Sequence, residues 1–194
     1  MILEGIVTTT DPDGQAHVAP MGATIDDPRD RPIRHAILRP YRTSRTYANL
    51  VRTGEAVFHV SDDVGLFARA AVGRLDRLPK LRPAAAVKGW ILADACRWYA
   101  LRVRRISGPE ERAQVEADVV EAGSIRDFLG FNRAMYAVVE GAILASRIGF
   151  VPGEQIRAEL TRLAVIVEKT GGTRQREAWD FLQRYVREKI GEGK

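Results

Sequence analysis

Residues 2–10 read Ile2-Leu3-Glu4-Gly5-Ile6-Val7-Thr8-Thr9-Thr10, and Asp11-Pro12-Asp13-Gly14 follows at once. A β-branched, threonine-rich run ended by such a tetrapeptide predicts the first arm of a hairpin. The second arm is Ala16-His17-Val18-Ala19-Pro20-Met21-Gly22-Ala23-Thr24. Proline and glycine within it point to a sheet edge, a bulge, or a place where another backbone or a ring comes close. The hairpin sets the class of the first part of the chain, because signals of the same kind continue well beyond it.

Residues 33–38 read as a strand that Arg39-Pro40-Tyr41 breaks, with a polar loop at 26–31 before it. Thr43 or Ser44 suits the N-cap of a short helix that Gly54 stops, and Tyr47, Leu50 and Val51 are its expected buried face. Residues 55–61 set Val57, His59 and Ser61 in alternation against Phe58 and Val60, which is the period of a strand. Asp62 and Asp63 cap a short apolar helix through Val72. Residues 78–86, with Pro79 and Pro83, read as irregular. Residues 90–93 form a short strand or turn and 95–106 a long strand. Across Ser107-Gly108-Pro109-Glu110, residues 111–121 are its expected partner. About six strands and two small helices predict a closed or partly closed antiparallel barrel.

After Gly130 helical spacing takes over. Residues 132–147 form one helical pattern, in which Asn132, Arg133, Glu140 and Arg147 suggest a structural ion pair or a polar site. A second helix opens at Pro152, carries Ile156, Leu160, Leu163 and Val167 on one face, and stops at Gly171-Gly172. Thr173 caps a third, with Trp179, Leu182, Val186 and Ile190 at helical spacing. Three amphipathic helices of this size bury little alone, so packing on the barrel or on a second subunit is expected. The chain is thus read as α+β, with a barrel over 1–122 and a three-helix appendage over 130–194.

Composition removes several classes. The 194 residues are 45% hydrophobic and 28% charged, which is ordinary globular composition. No run approaches the roughly 20 apolar residues of a bilayer helix, and the N-terminus lacks the pattern of a secretory signal, so a cytoplasmic protein without membrane association is expected. Cys96 is the single cysteine, and His17, His35 and His59 stand apart in sequence, so neither a disulfide nor a metal centre is expected. The net charge of +5 is local: residues 73–109 hold 9 Lys and Arg against 2 Asp and Glu. This basic segment, with Trp90 and Trp98 as stacking surfaces, allows a nucleic-acid-binding module as one reading, although solvated surface explains it more simply. There is no G-x-S-x-G elbow, no Walker loop, no G-x-G-x-x-G and no H-E-x-x-H.

One polar cluster carries chemistry: Arg39-Pro40-Tyr41-Arg42-Thr43-Ser44-Arg45-Thr46-Tyr47. A helix start with hydroxyls and guanidiniums beside free backbone N–H groups suits a phosphate, or else is a helix cap with solvated arginines. Arg39-Pro40-Tyr41, Ser44-x-Thr46-Tyr47-x-Asn49-Leu50 and Ala56-Val57-Phe58-His59-Val60-Ser61-Asp62-Asp63 resemble the FMN-binding split-barrel superfamily, which includes flavin reductases and pyridoxamine-phosphate oxidases. Trp90-Ile91-Leu92-Ala93-Asp94-Ala95, running into Trp98-Tyr99-Ala100-Leu101-Arg102-Val103, is similar to the approach to a late barrel strand in flavin reductases. Gly130-Phe131-Asn132-Arg133-Ala134, Val139-Glu140-Gly141-Ala142-Ile143-Leu144-Ala145-Ser146-Arg147 and Glu168-Lys169-Thr170-Gly171-Gly172 resemble domain-of-unknown-function family 447. Those proteins are split barrels with a helical C-terminal appendage.

The resemblance implies an antiparallel split β-barrel that binds FMN without covalent attachment at a homodimer interface, and it assigns no reaction, substrate or electron donor. An oxidoreductase of flavin reductase-like type is the expected function, with a non-enzymatic FMN carrier or sensor as the alternative. The phosphate is expected at Arg39, Tyr41, Thr43, Ser44, Thr46 and Tyr47. Pro20, Met21, Gly22 and Ala23 are expected to form the slot for the isoalloxazine, Gly22 allowing close approach to the main chain. His59 and Ser61 share a strand face and are candidates to line the pocket.

Overall fold

A computed structural model describes residues 1–26 and 32–191, so most of the expected 26–31 loop lies outside the described residues. The chain forms two compact units, one of Met1–Ser61 with Arg77–Phe128, the other of Asp62–Asp76 with the residues from Leu129 onward.

The first unit is built on an eight-stranded antiparallel sheet. Its strands are β1 (Ile2–Leu3), β2 (Ile6–Thr10), β3 (Ala16–Pro20), β4 (Ala23–Thr24), β5 (His35–Leu38), β6 (Glu55–Val60), and the long pair that follows the short ribbon of β7 (Leu81–Pro83) and β8 (Trp90–Leu92), namely β9 (Arg97–Ser107) and β10 (Gln114–Ser124). The order across the sheet is β1-β4-β5-β10-β9-β6-β2-β3. The expected first hairpin forms, with Thr8 opposite Val18. Only residues 4 and 5 separate β1, at one end of the order, from β2, next to last at the other, so the chain joins the two sides of the sheet and curls it into a barrel. Met21 N–H donates to the Gly5 carbonyl (3.0 Å) at the junction. Two register shifts in the β9–β10 ladder, at Glu116/Ala117 and Val119/Glu121, supply the local bending that curling requires.

The barrel core holds Val7, Leu38, Leu50, Phe58, Leu101 and Val115. Strand β6 is buried on both faces: Ala56 and Phe58 point into the barrel, while Val57 packs with Val87, Ile91, Trp98 and Ala100 beneath the β7–β8 ribbon. The segment read as irregular therefore contains a strand, β7, paired with β8 from Leu81↔Leu92 to Pro83↔Trp90. Its prolines hid it in sequence, but a two-stranded ribbon is all edge and tolerates them.

The helix α1 (Arg45–Thr53) starts and stops as expected. Ser44 Oγ accepts the Tyr47 N–H (3.1 Å), and Gly54 adopts the left-handed conformation (φ 67°) at its end. Its buried face is Thr46, Asn49 and Leu50; Tyr47 is half-buried and Val51 exposed, contrary to the apolar stripe expected. The cause is polar: Asn49 Nδ2 donates to Thr9 Oγ1 (3.0 Å) and Asp11 Oδ1 (2.8 Å), which turns the helix about its axis.

The second unit comprises α2 (Val64–Ala71), α3 (Arg133–Ala145), α4 (Gly153–Thr170) and α5 (Thr173–Ile190). Asp63 and Asn132 cap α2 and α3 by accepting the N–H groups of Leu66 (2.9 Å) and Met135 (3.0 Å). The cap of α5 is not Thr173 but Gly172, whose N–H donates to Gln175 Oε1 (3.1 Å). Trp179 of α5 lies against Gly141 of α3, where a Cβ would come within 2.6 Å of its ring. Glu140 and Arg147 are both exposed, and no ion pair joins them among the described residues.

Closure depends on Gly5. A Cβ there would lie 2.4 Å from the His59 carbonyl oxygen and 2.6 Å from Phe58 Cζ. Gly5→Ala should lower unfolding stability by about 3 kcal/mol, since fixed backbone cannot yield to the methyl group. Gly14→Ala, at a positive φ in open space, should cost only about 1 kcal/mol. Denaturant unfolding of both variants checks this, and equal costs would remove the closure contact as the cause.

Candidate functional site

The β5–α1 connection brings several cations to the start of a helix. In the first turn of α1 the Tyr47 N–H is taken by Ser44, whereas the N–H groups of Arg45 and Thr46, as at any helix start, have no intrahelical acceptor. The Ser44 hydroxyl also donates to the Tyr41 carbonyl (2.7 Å), so it serves the turn before it serves any ligand. Thr43 is exposed on the same turn, while Thr46 is buried.

The guanidiniums divide into two kinds. Arg45 is neutralised by Asp11, through Nε to Oδ1 (2.7 Å) and Nη2 to Oδ2. Burial would raise the Asp11 pKa, but hydrogen bonds from Arg45 and Asn49, with the nearby charges, hold it below the usual carboxylate value. Arg39, Arg42 and Arg112 have no carboxylate partner among the described residues. Arg39 Nη1 donates to Thr24 Oγ1 (2.8 Å). Arg42 donates to the carbonyls of Pro109 (3.1 Å) and Gly108 (3.2 Å) and to the Tyr47 hydroxyl, which fixes the side chain without cancelling its charge. Arg112 donates to the Tyr41 hydroxyl (2.6 Å) and lies 4.0 Å from that ring's centroid. Arg42 lies within the polar cluster legible in the sequence, whereas Arg112 lies outside every set of residues expected for the site. Arg112 joins through an isolated bridge between Tyr41 and Arg112, a pairing that no local motif announces.

Beside this cluster, the outward face of β1, β4 and β5 makes a platform. Alternation along β5 sends Ala36 and Leu38 inward and leaves Ile37 and Arg39 outward. Thr24 pairs with both Ile2 and Ile37, and Gly22 precedes β4 in line with Arg39. Of the four residues expected to form a slot, Pro20, Met21 and Gly22 are half-buried at this rim, whereas Ala23 is wholly buried in the core and presents no side chain to a ligand. Gly22 is not open space either. A Cβ there would meet Ile2 Cγ2 at 2.7 Å and the Glu4 carboxylate oxygens at 3.2 and 3.4 Å, so neighbours from the first strand cover the site its missing side chain leaves.

His59 and Ser61 are not brought to this place. Strand β6 stands three strands from β5, about 14 Å at the usual spacing. His59 is fully buried; its Nδ1 pairs with the Ile6 carbonyl (3.1 Å) and its Nε2 accepts the Leu92 N–H (3.1 Å), so the neutral ring ties β2, β6 and β8 together. The face it shares with Val57 is outward in sequence terms but is roofed by the ribbon. Ser61 is half-buried just beyond the strand. In the basic segment Trp98 is 6% exposed beneath Arg82 and Trp90 is half-buried, while Arg102 and Arg104 pair with Glu55 (3.7 Å) and Asp118 (3.5 Å). A groove of about 460 Å³ between the 83–90 loop, Thr10 and Glu55 holds none of the expected site residues.

Burial pushes the His59 pKa down to about 4. The unfolded chain binds a proton below about pH 6.5 that the folded protein refuses, so stability is full above that value and falls as pH drops toward 4. Between pH 7 and 5 the loss from this group should be about 2 kcal/mol. His17, also held low by burial and the Arg45 charge, adds in the same direction. Urea unfolding of wild type and His59→Gln across this range isolates the His59 share, and parallel pH profiles would contradict it.

Among the described residues no helix is long and apolar enough to cross a membrane. Residues 3–126 match the family model described as Protein of unknown function (DUF447) N-terminal domain, and residues 132–184 match the model described as Protein of unknown function (DUF447). The fold is similar to that of an FMN-bound protein from Methanosarcina mazei ascribed to the same family, with a TM-score of 0.76 and 21% identity over 95% of this chain and 94% of that one. It is also similar to flavin reductase HpaC complexed with NADP+, with a TM-score of 0.54 and 16% identity over 68% and 83% of the two chains. Flavoredoxin from Methanosarcina acetivorans gives 0.54 and 10% over 63% and 68%. These likenesses bear out the α+β split barrel with a helical C-terminal part.

Proposed function

The chain belongs to the DUF447 family, and from that premise we propose that it is a non-covalent FMN-binding flavoprotein, an oxidoreductase of flavin reductase-like type that works as a homodimer. The observation that carries this is the start of α1, where three guanidiniums without carboxylate partners among the described residues stand beside two N–H groups without an intrahelical acceptor and an outward platform. That donor set fits a phosphate dianion joined to a flat ring. The FMN-bound state of the Methanosarcina mazei relative supports the same choice of ligand. In this reading the barrel proposed over residues 1–122 carries the site, less the Asp62–Asp76 segment, which groups with the helical appendage of residues 130–194.

Arg39, Tyr41, Arg42, Thr43 and the first-turn N–H groups would hold the phosphate, with Ser44 and Tyr47 shaping the turn. Arg112, stacked on Tyr41, closes the cationic rim. The backbone at Met21 and Gly22, together with Ile2 and Ile37, would form the floor under the ring. Bound FMN supplies hydride and electron chemistry; the protein's share is to bind, orient and tune it.

FMN titration with fluorescence detection tests the site. Riboflavin should bind at least tenfold more weakly than FMN, because charge-assisted hydrogen bonds contribute roughly 1.5–3 kcal/mol each. Arg39→Ala should weaken FMN by about tenfold and Arg105→Ala, on β9, hardly at all. Equal affinity for the two flavins would count against the phosphate site. Oxidation of NADH or NADPH by the FMN-loaded protein separates an enzyme from a flavin carrier.

The homodimer has separate support in the helical unit, where Leu129 is 79% exposed, Phe131 96% and Phe150 90%. Phe131 lies beside the exposed Tyr136 (ring centroids 6.4 Å), and an exposed apolar patch of this kind suits an interaction surface. Light scattering should give twice the chain mass, and Phe131→Ser should shift it toward the monomer. A monomer that binds FMN tightly would refute the dimer.

A further inference from the structure

Among the described residues the platform beside α1 carries the carboxylate of Glu4, and it lies where the flavin ring is proposed to sit. Glu4 follows β1 on its outward face, and both of its oxygens stand within 3.2–3.4 Å of the point a Gly22 Cβ would take. Ile2, 60% exposed on the same face, lies against Gly22 from the other side. Arg39, held by Thr24, occupies the neighbouring strand. The platform is therefore polarised, with an apolar floor between a carboxylate at one margin and a guanidinium at the other.

The polar edge of oxidised isoalloxazine has the complementary asymmetry. O2, O4, N1 and N5 accept hydrogen bonds, and N3–H is its one donor. Cations and backbone N–H groups suit every atom of that edge except N3–H, which needs an acceptor. We propose that Glu4 is a positioning residue that accepts the hydrogen bond of the flavin N3–H, fixing which way the ring lies on the platform. This rests on the FMN reading above. Gly22 has a matching role: without a side chain, it leaves room for the Glu4 carboxylate to lie over the main chain at the ring's margin. A fixed negative charge there also disfavours the electron-rich reduced ring relative to the oxidised one, so Glu4 lowers the midpoint potential of bound FMN.

The test compares FMN with N3-methyl-FMN, which keeps the phosphate and the ring but lacks the donor. Wild type should bind N3-methyl-FMN about tenfold more weakly than FMN, as loss of a charge-assisted hydrogen bond predicts. Glu4→Leu should bind FMN about tenfold more weakly and no longer distinguish the two flavins. Glu4→Gln, which keeps an acceptor but not the charge, should lose about threefold and shift the midpoint potential upward. Thermal melting of the variants without flavin reports folding separately, and the N3-methyl-FMN comparison on wild type needs no variant. Equal wild-type affinity for the two flavins, or an unchanged flavin ratio in Glu4→Leu, overturns the role of Glu4. If FMN still binds tightly and Arg39→Ala still weakens it, the FMN reading survives that failure. If wild type binds neither flavin, both fall together.

Discussion

Everything in the barrel depends on one close approach, that of the Gly5 backbone to the His59 carbonyl and the Phe58 ring. The segment from β1 to β2 reaches both sides of the sheet, and it does so by kinking between the two strands at a residue with no side chain. From that kink β2 runs on as the neighbour of β6, while β1 crosses to pair with β4. The candidate site is a by-product of closure. Ile2, Glu4 and Gly22 reach the margin of Arg39 because the strand that carries them has left its partner in the barrel wall.

Electrostatics then decides which of many basic residues are available. Arg45 stands at the helix start, where a phosphate would be expected, but Asp11 holds it and uses it to fasten α1 to the hairpin turn, with Asn49 completing the tie. Arg42 and Arg112 are instead oriented by neutral acceptors, carbonyls and tyrosine hydroxyls, and no carboxylate among the described residues neutralises them. A guanidinium placed by neutral groups keeps its long-range attraction and loses only its freedom. On strand β9, Arg102 and Arg104, like Arg45, face carboxylates.

Buried polar groups away from the site serve the frame. His59 replaces backbone partners for Ile6 and Leu92, and Thr8 and Thr10 donate to the carbonyls of Trp90 and Lys88, so the β7–β8 ribbon is stitched to the barrel by side chains from the second and sixth strands. A satisfied buried group contributes modestly, whereas one left without its partner costs more. That asymmetry makes these residues good determinants of a single arrangement.

The sequence alone determined the local elements: the hairpin at Asp11-Pro12-Asp13-Gly14, the Ser44 and Gly54 boundaries of α1, the caps at Asp63 and Asn132, and the change from strands to helices after Gly130. Turn and cap chemistry acts between residues a few positions apart, so it is written in order along the chain. Recognition of the family also followed from local motifs in their order. Only tertiary structure decided which side chains are spent and which are left. That His59 is roofed by β8, that Asp11 consumes Arg45, that Arg112 stacks on Tyr41 and that Glu4 covers Gly22 are contacts between residues 18 to 71 positions apart. Strand alternation says which face a residue takes but not what covers that face, and charge is neutralised across space rather than along the chain.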